Sequence, residues 1–306
     1  MGIESDYIWF DGEFVPFAEA TTHVLTHTLH YGLGAFEGIR AYKQDNGKAG
    51  IWRLDEHLER FNDSLRMMRL PLTHSVEDLR DVCIETLRKN DFTEAYLRPL
   101  AFIGTGEMGL GARNNPVHYV VASWKWGAYL GAEGLKNGVR LKTSSLTRNH
   151  PNASLSRAKI AGHYVNSIQA RYEANDDGFD EALMLDANGY VAEGTGENVF
   201  AIKHGIIKTP PAVNILPGIT RRSVIEILNH DGHEVQETFF GRDAFYVADE
   251  AFMCGTAAEV TPVREVDYRV VGDGIPGPLT RKVQQTYAEG VRGRVDWLRH
   301  HITLVE

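Results

Sequence analysis

The pattern of apolar and polar positions changes period several times along the chain. Tyr7-Ile8-Trp9-Phe10 and Glu13-Phe14-Val15 flank Asp11-Gly12. Asp-Gly suits a tight type I′ turn, so this segment predicts a β-hairpin. Leu58, Phe61, Leu65 and Met68 then fall on one helical stripe, with Pro71 beyond its end. Ser75 and Asp78 have the spacing of a capping box ahead of a second amphipathic helix through Val76, Leu79, Cys83 and Leu87. Ala95 to Ile103 and Val117 to Trp124 are strand-like runs. Residues 1–125 therefore form a small N-terminal α+β domain.

Residues 126–136 begin Trp126-Gly127-Ala128-Tyr129-Leu130-Gly131, which has no period and predicts an interdomain loop. Residues 137–306 form the larger C-terminal domain. Val139 to Ser145 predicts a strand and Ile160 to Glu173 a helix. Ala182 to Asp186 and Tyr190 to Ala192 predict a hairpin about Asn188-Gly189, and Asn198 to Ile202 and Ile206 to Thr209 continue the β pattern. Gly218-Ile219-Thr220 opens a helix through Val224, Ile225 and Leu228 that stops near Gly232. Ala251 to Cys254 is a short buried strand ending at Gly255-Thr256-Ala257-Ala258. No internal repeat or low-complexity tract interrupts this mixed α and β pattern.

Composition narrows the function classes. The chain has 306 residues, 43% hydrophobic and 24% charged, as in an ordinary soluble globular protein. A formal charge of −9 argues against a nucleic-acid partner, because such surfaces are usually basic. Cys83 and Cys254 form no CxxC and no disulfide framework, which fits a reducing compartment. Met1 to Asp6 lacks the basic and apolar regions of a signal peptide, and Asp6 stands where myristoylation needs Ser or Thr. No apolar run approaches the ~20 residues of a membrane span. The expectation is a cytoplasmic protein with no membrane partner.

Lys159 is the first candidate for chemistry, because a lysine amine can attack a carbonyl and form a Schiff base. Pyridoxal 5'-phosphate needs such an amine, an acid at its ring nitrogen, a phosphate cup and a wall against the ring. Glu193, on the predicted hairpin, can be the acid. Leu216-Pro217-Gly218-Ile219-Thr220 leads into a helix whose N-terminus offers N–H groups to an anion. Gly255-Thr256-Ala257 can add a hydroxyl and further N–H groups, and Arg60 and Tyr164 are further partners. By residue type alone, Glu193 reads sooner as a turn carboxylate, and both glycine segments as ordinary structural turns.

Two other patterns carry less. Gly104 to Gly109 is a literal GxGxxG, but Leu110 to Pro116 follows it instead of the helix that a dinucleotide site requires. His23, His27 and His30 could share a helical face, but Thr21-Thr22 and Val24-Leu25-Thr26 favour strand or irregular structure. No carboxylate or cysteine completes a ligand set there, and no metal is expected. Cys254, beside the proposed phosphate turn, is taken as a small buried residue.

The strings themselves are more specific. Tyr31-Gly32-Leu33-Gly34-Ala35-Phe36-Glu37-Gly38-Ile39-Arg40-Ala41-Tyr42 closely resembles the N-terminal signature of the branched-chain amino-acid aminotransferases, fold-type IV pyridoxal phosphate enzymes. So do His57 to Phe61, Ala95 to Leu100, Trp126 to Gly131, Glu193 to Asn198, Leu216 to Thr220 and Phe252 to Glu259, in one order along the chain. The resemblance implies a two-domain α+β fold with a β-barrel-like larger domain that binds the cofactor.

It also implies roles. Lys159 would be the Schiff-base lysine and carry the proton between Cα and C4′. Glu193 would pair with the pyridine nitrogen and Tyr164 with the ring hydroxyl. Arg60, Ile219, Thr220 and Thr256 would hold the phosphate, and Leu216 would pack on the ring. Asn198, Gly218 and Gly255 belong to the same cofactor strings. The backbone at Thr256 and Ala257 would take the substrate α-carboxylate. Phe36, Tyr129 and Ala258, with Tyr31 and Leu110 of a neighbouring subunit, would wall the side-chain pocket. Gly38 would leave room in it, and Tyr96 lies in a matched substrate string. Arg98, with the hydroxyls of Tyr31 and Tyr129, would accept the distal carboxylate of glutamate, and Arg40 would buttress the pocket.

The implied reaction moves the amino group of leucine, isoleucine or valine to 2-oxoglutarate, by a ping-pong path through pyridoxamine phosphate. Its partners are amino acids and 2-oxo acids. The assembly is at least a homodimer, with a hexamer of dimers left open. The alternatives are a D-amino-acid or (R)-amine transaminase, aminodeoxychorismate lyase, and a non-enzymatic binding protein on the same scaffold.

Overall fold

The computed structural model describes residues 5–127 and 129–306. Met1 to Glu4, where no leader pattern is found, and Ala128 of the predicted connector lie outside the described residues. The chain forms two compact units. The first is Met1–Trp126 with Ala158–His163 and Gly290–Glu306, and the second is Gly127–Arg157 with Tyr164–Glu289.

In the first unit, β1 (Tyr7–Phe10) and β2 (Glu13–Pro16) form the predicted hairpin. Asp11 (φ 48) and Gly12 (φ 102) take the positive φ values of its turn. A short helix α1 (His27–Tyr31) precedes β3 (Gly34–Phe36), β4 (Ile39–Lys43) and β5 (Ala49–Trp52). The helices α2 (Leu54–Met67) and α3 (Val76–Lys89) follow, then β6 (Ala95–Ile103) and β7 (Val117–Trp124). The capping box is present: Asp78 N–H donates to Ser75 Oγ, and Ser75 N–H donates to the Asp78 carboxylate. Among the described residues the sheet has eight strands, in the order Ile302–Leu304, β5, β4, β6, β7, β1, β2, with β3 also on β6.

The register assigns its two faces. Ala35 pairs with Ala101, Ile39 with Leu97 and Ala41 with Ala95. That face packs with Leu58, Phe61 and Leu65 of α2 and Leu79, Cys83 and Leu87 of α3. Each fully buried side chain of this size contributes roughly 1.5–3 kcal/mol. The alternate residues, Phe36, Arg40, Tyr96, Arg98 and Trp124, share the opposite face, because Cβ direction alternates along a strand.

Residues 158–163 are stitched into this sheet. Ile160 bridges to Ala35, Phe36 N–H donates to Lys159 O (3.1 Å), and Gly162 N–H donates to Gly32 O (3.0 Å). Gly32 has φ 73, and a Cβ there would come within 3.0 Å of Gly162 Cα. The helix predicted from Ile160 therefore starts late. A single 3-10 turn spans Ala161–His163, and the α-helix α5 begins in the second unit (Tyr164–Asp176), because the backbone before it is held by Gly32, Ala35 and Phe36.

The expected loop over 126–136 contains a helix, α4 (Gly131–Asn137). Gly131 (φ 79) turns the chain into it and Gly138 (φ 87) turns it out, so glycine marks its ends here. Next come β8 (Val139–Thr143), β9 (Glu181–Leu185), β10 (Val191–Glu193), β11 (Asn198–Lys203) and β12 (Ile206–Thr209). The helix α6 (Ile219–His230), β13 (Val235–Glu237), β14 (Glu250–Gly255), β15 (Glu259–Val266) and β16 (Arg269–Val270) complete the second sheet. Among the described residues it has nine strands, ordered β10-β9-β8-β15-β14-β11-β12-β13 with β16 on β15, curled as a half-barrel. Val139, Leu141, Leu183, Val199 and Met253 belong to its core.

The discounted motifs have structural employment. His27 and His30 lie on α1 instead of in a strand. Their Nε2 atoms bond Gly109 O (2.8 Å) and Val24 O (2.9 Å). The glycine-rich segment after β6 is irregular, closed by Gly104 N–H to Pro116 O and by Asn115 to Glu107. Cys83 and Cys254 are free and buried, and burial pushes both thiols up.

Candidate active site

The first unit gathers one set of chemical groups on and beside its sheet. The backbone of Lys159 is clamped from two sides. Its N–H donates to Ser64 Oγ on α2 (3.0 Å), and its carbonyl accepts from Phe36 on β3. Ser64 Oγ in turn donates to Arg60 O (2.9 Å), one turn earlier on α2. The Lys159 ammonium nitrogen stands 4.9 Å from the Phe36 ring centroid. The register places Phe36 and Arg40 on the same side, and Gly38, between the two strands, has no room for a side chain: a Cβ would fall 1.7 Å from the Tyr96 hydroxyl.

Arg98 stands on that face in an aromatic box. Its guanidinium carbon lies 4.6 Å from the Phe36 centroid, 5.4 Å from Tyr96 and 5.5 Å from Trp124. Such stacking holds a weakly hydrated guanidinium in place. Among the described residues its buried Nε has no hydrogen-bond partner. Arg40 Nη2 donates to Trp126 O (3.2 Å), and Trp126 packs edge-on against Tyr96.

Arg60 comes with an acid that the sequence did not bring out. Its Nε and Nη2 donate to the two oxygens of Glu37 (2.7 and 2.9 Å), and His57 Nδ1 lies 2.7 Å from Glu37 Oε2. Burial alone would raise the Glu37 carboxyl, but Arg60 and then His57 outweigh it and hold it well below the usual carboxylate range. Burial lowers His57, so its imidazole stays neutral near pH 7. His57 and Arg60 are three apart on α2, with Glu37 between Phe36 and Gly38. That i, i+3 pair beside an acid was the available signal.

The second unit carries a set of its own. Glu193 ends β10 and is buried. Arg148 Nε donates to its Oε1 (2.6 Å), and Asn198 Nδ2 and Leu216 N–H both donate to Oε2 (3.2 Å). Asn198 Nδ2 also donates to Leu216 O (3.0 Å), tying β11 to the segment before α6. Gly218 caps α6, and a Cβ there would lie 2.0 Å from Asn198 Oδ1. Ile219 and Thr220 are buried in its first turn. Gly255, Thr256, Ala257 and Ala258 form the tight connection from β14 to β15, and Tyr164 opens α5. Tyr129 lies beside Arg171, 5.7 Å from ring centroid to guanidinium carbon. Burial, then Glu197 and Glu181, hold its hydroxyl above the ordinary value.

Tyr31 and Leu110 are both exposed. Leu110 is 90% exposed and Tyr31 44%, among exposed Val24, Leu25, Leu29 and Met108. The His27 bond to Gly109 joins α1 to the loop that carries Met108 and Leu110.

The chain as a whole has close relatives. The family model for amino-transferase class IV matches residues 34–266, and the chain belongs to that family. Within it, the chain is similar over its whole length to branched-chain-amino-acid aminotransferases. That of Pseudomonas aeruginosa is 48% identical over 306 residues, covering 100% of this chain and 99% of the relative. The crystal structure of the Escherichia coli branched-chain amino acid aminotransferase superposes with a TM-score of 0.95 at 42% identity, covering 99% of this chain and 100% of that one. A further branched-chain amino acid aminotransferase, from T.th. and solved with pyridoxamine 5'-phosphate, gives a TM-score of 0.96 at 45% identity, covering 100% of both chains.

Proposed function

We propose that the protein is a branched-chain L-amino-acid aminotransferase, moving the amino group of leucine, isoleucine or valine reversibly to 2-oxoglutarate. The observation that carries this reading is the Arg98 box. Apolar Phe36 and a caged guanidinium share one sheet face beside a glycine. An apolar wall suits leucine's side chain, and a forked cation at its edge suits glutamate's second carboxylate.

Pyridoxal phosphate fits the groups present: an amine at Lys159, a buried carboxylate at Glu193, hydroxyls at Thr220 and Thr256, and an α6 start kept open by Gly218. When bound, the cofactor supplies an aldehyde for the amino group and a ring that holds the electron pair left at Cα. Lys159 would hold the cofactor through its amine and move the proton between Cα and C4′. Glu193 would pair with the pyridine nitrogen and Tyr164 with the ring hydroxyl. Arg60, kept in one orientation by Glu37, would anchor the phosphate with Ile219, Thr220 and Thr256, and Leu216 would pack on the ring. Backbone N–H groups of Thr256 and Ala257 orient the substrate α-carboxylate. Phe36, Tyr129 and Ala258 exclude water around the side chain, Tyr96 and Gly38 set its depth, and Arg40 fixes the rim through Trp126.

The exposed patch of Val24, Leu25, Leu29, Tyr31, Met108 and Leu110 supports a second copy as the occupant of that surface. Tyr31 and Leu110 then complete the partner's pocket. No described helix is long and apolar enough to cross a membrane. With two free buried cysteines, a cytoplasmic setting is the reading that fits.

The function is tested by single-turnover half-reactions of the pyridoxal-phosphate-loaded protein, followed by cofactor absorbance. L-Leucine and L-glutamate are expected to react at least about 100-fold faster than a D-amino acid or an (R)-amine. Faster conversion of either of the latter would replace this reading with the D-amino-acid or (R)-amine transaminase. Gly38→Ala pushes a methyl group into the Tyr96 hydroxyl. It is expected to lower kcat/KM for leucine by roughly 10–100-fold. Unchanged leucine kinetics would remove Gly38 from the pocket.

A further inference from the structure

Glu197 lies in the same loop as Glu193 and has no part in the proposed reaction. It is 3% exposed and sits one residue before β11, where Asn198 pairs with Cys254 of β14. That register sets Glu197 against Gly255: a Cβ on Gly255 would be 3.6 Å from Glu197 Cγ. Glu197 Cγ therefore lies beside Gly255 at the start of the Gly255–Ala257 turn, with Oε2 against Gly194 and Gly196.

The charged groups around it are paired with one another, Arg148 with Glu193 and Arg171 with Glu181. Glu181 on β9 and Glu193 on β10 are both buried carboxyls, and Arg171 on α5 is a nearby cation; Cys254 on β14 and Tyr129 before α4 complete the surroundings. Arg171 donates to Glu181 Oε2. Thr195 Oγ1 (2.8 Å) and Ala182 N–H (2.7 Å) donate to Glu181 Oε1. Among the described residues the donor to the Glu197 carboxyl is Gly196 N–H (3.1 Å). The guanidinium is thus committed to Glu181, and burial, then the Glu181 charge, push Glu197 up to about 8.

We propose that Glu197 is a proton-dependent positioning residue for carboxylate binding at the Gly255–Ala257 turn. With its proton in place, the buried neutral acid leaves the turn's N–H groups free to take a substrate carboxylate. Once the proton is lost, an uncompensated anion beside the turn repels that carboxylate. This rests on the assignment of Thr256 and Ala257 to the substrate α-carboxylate under the proposed function.

The test uses the cofactor-loaded protein and 4-methylvalerate, a branched carboxylate with no amino group of its own to titrate. Its Kd is measured by calorimetry between about pH 6 and pH 10. The expected Kd is level on the acid side and rises about tenfold per pH unit beyond the Glu197 transition. Glu197→Gln is expected to hold one Kd across the range. Glu181→Gln removes the like charge and releases Arg171, so its rise should begin at lower pH. A level profile in the parent protein, or a rise in Glu197→Gln matching the parent's, overturns the proposal. If Glu197→Gln does not fold, a rise that Glu181→Gln leaves in place overturns it equally. No binding at any pH overturns the proposed function along with this inference, whereas binding with a level profile overturns the inference alone.

Discussion

Lys159→Ala is expected to reduce amino transfer from leucine by at least about 10⁴-fold, because covalent attachment and proton transfer depend on the same amine. The fold should survive. Lys159 is tied to Ser64 and Phe36 through its backbone N–H and carbonyl, which alanine retains. The thermal midpoint should therefore shift by only a few degrees, as for a half-buried side chain outside the apolar core. Two measurements separate chemistry from structure. Borohydride treatment of the loaded protein should trap the cofactor on the parent chain and not on the variant. A small primary amine added to the buffer should restore part of the turnover, since it replaces the missing proton carrier. Turnover in Lys159→Ala within tenfold of the parent would assign the amine's role to another residue.

How far such a site is legible in sequence depends on the range of the interactions that form it. The Asp11-Gly12 turn, the Ser75–Asp78 capping box and the long runs of β6 and β7 obey rules that span a few residues, and they form where those rules place them. The strands β3, β4 and β5 are three to five residues long and broken by glycines. In the sequence they register as a signature string and not as a β pattern. Nothing local in Ile302–Leu304 indicates that it pairs with β5, about 250 residues earlier. Periodicity alone therefore leaves residues 290–306 with the C-terminal domain, whereas they pack in the first unit.

The same distinction holds for the chemical groups. Lys159, Glu193 and the turns around Gly218 and Gly255 could be named from their strings. Arg148 could not. It lies in Thr147-Arg148-Asn149-His150, a stretch that looks solvated, yet it is buried and donates to Glu193. Glu37 was hidden differently: Phe36 and Gly38 on either side have proposed pocket roles, while its side chain turns towards His57 and Arg60 on α2. A buried charge is visible only once its partner is, and these partners lie 20 to 45 residues away. The matched strings say which residues to expect at the site; the long-range pairs explain how they are held.

Arg98→Ala separates the two substrates that share the pocket. The guanidinium is stacked among Phe36, Tyr96 and Trp124, so it reaches its position without a carboxylate to draw it there. A distal carboxylate arriving at this forked cation gains charge-assisted hydrogen bonds worth about 1.5–3 kcal/mol. Loss of that interaction predicts a fall of roughly 10–150-fold in kcat/KM for 2-oxoglutarate and glutamate. Leucine makes no such bond, and its half-reaction should change by less than about threefold, through lost packing against the three rings. Arg98→Lys restores a point charge without the planar fork or the stacking, and should recover only part of the 2-oxoglutarate loss. The comparison is a ratio, so a general loosening of the fold cancels from it. Equal losses for leucine and 2-oxoglutarate would mean that Arg98 braces the aromatic face and that the second carboxylate is bound elsewhere. A selective loss would place the dual specificity in one caged guanidinium, fixed by the alternation of side chains along β6.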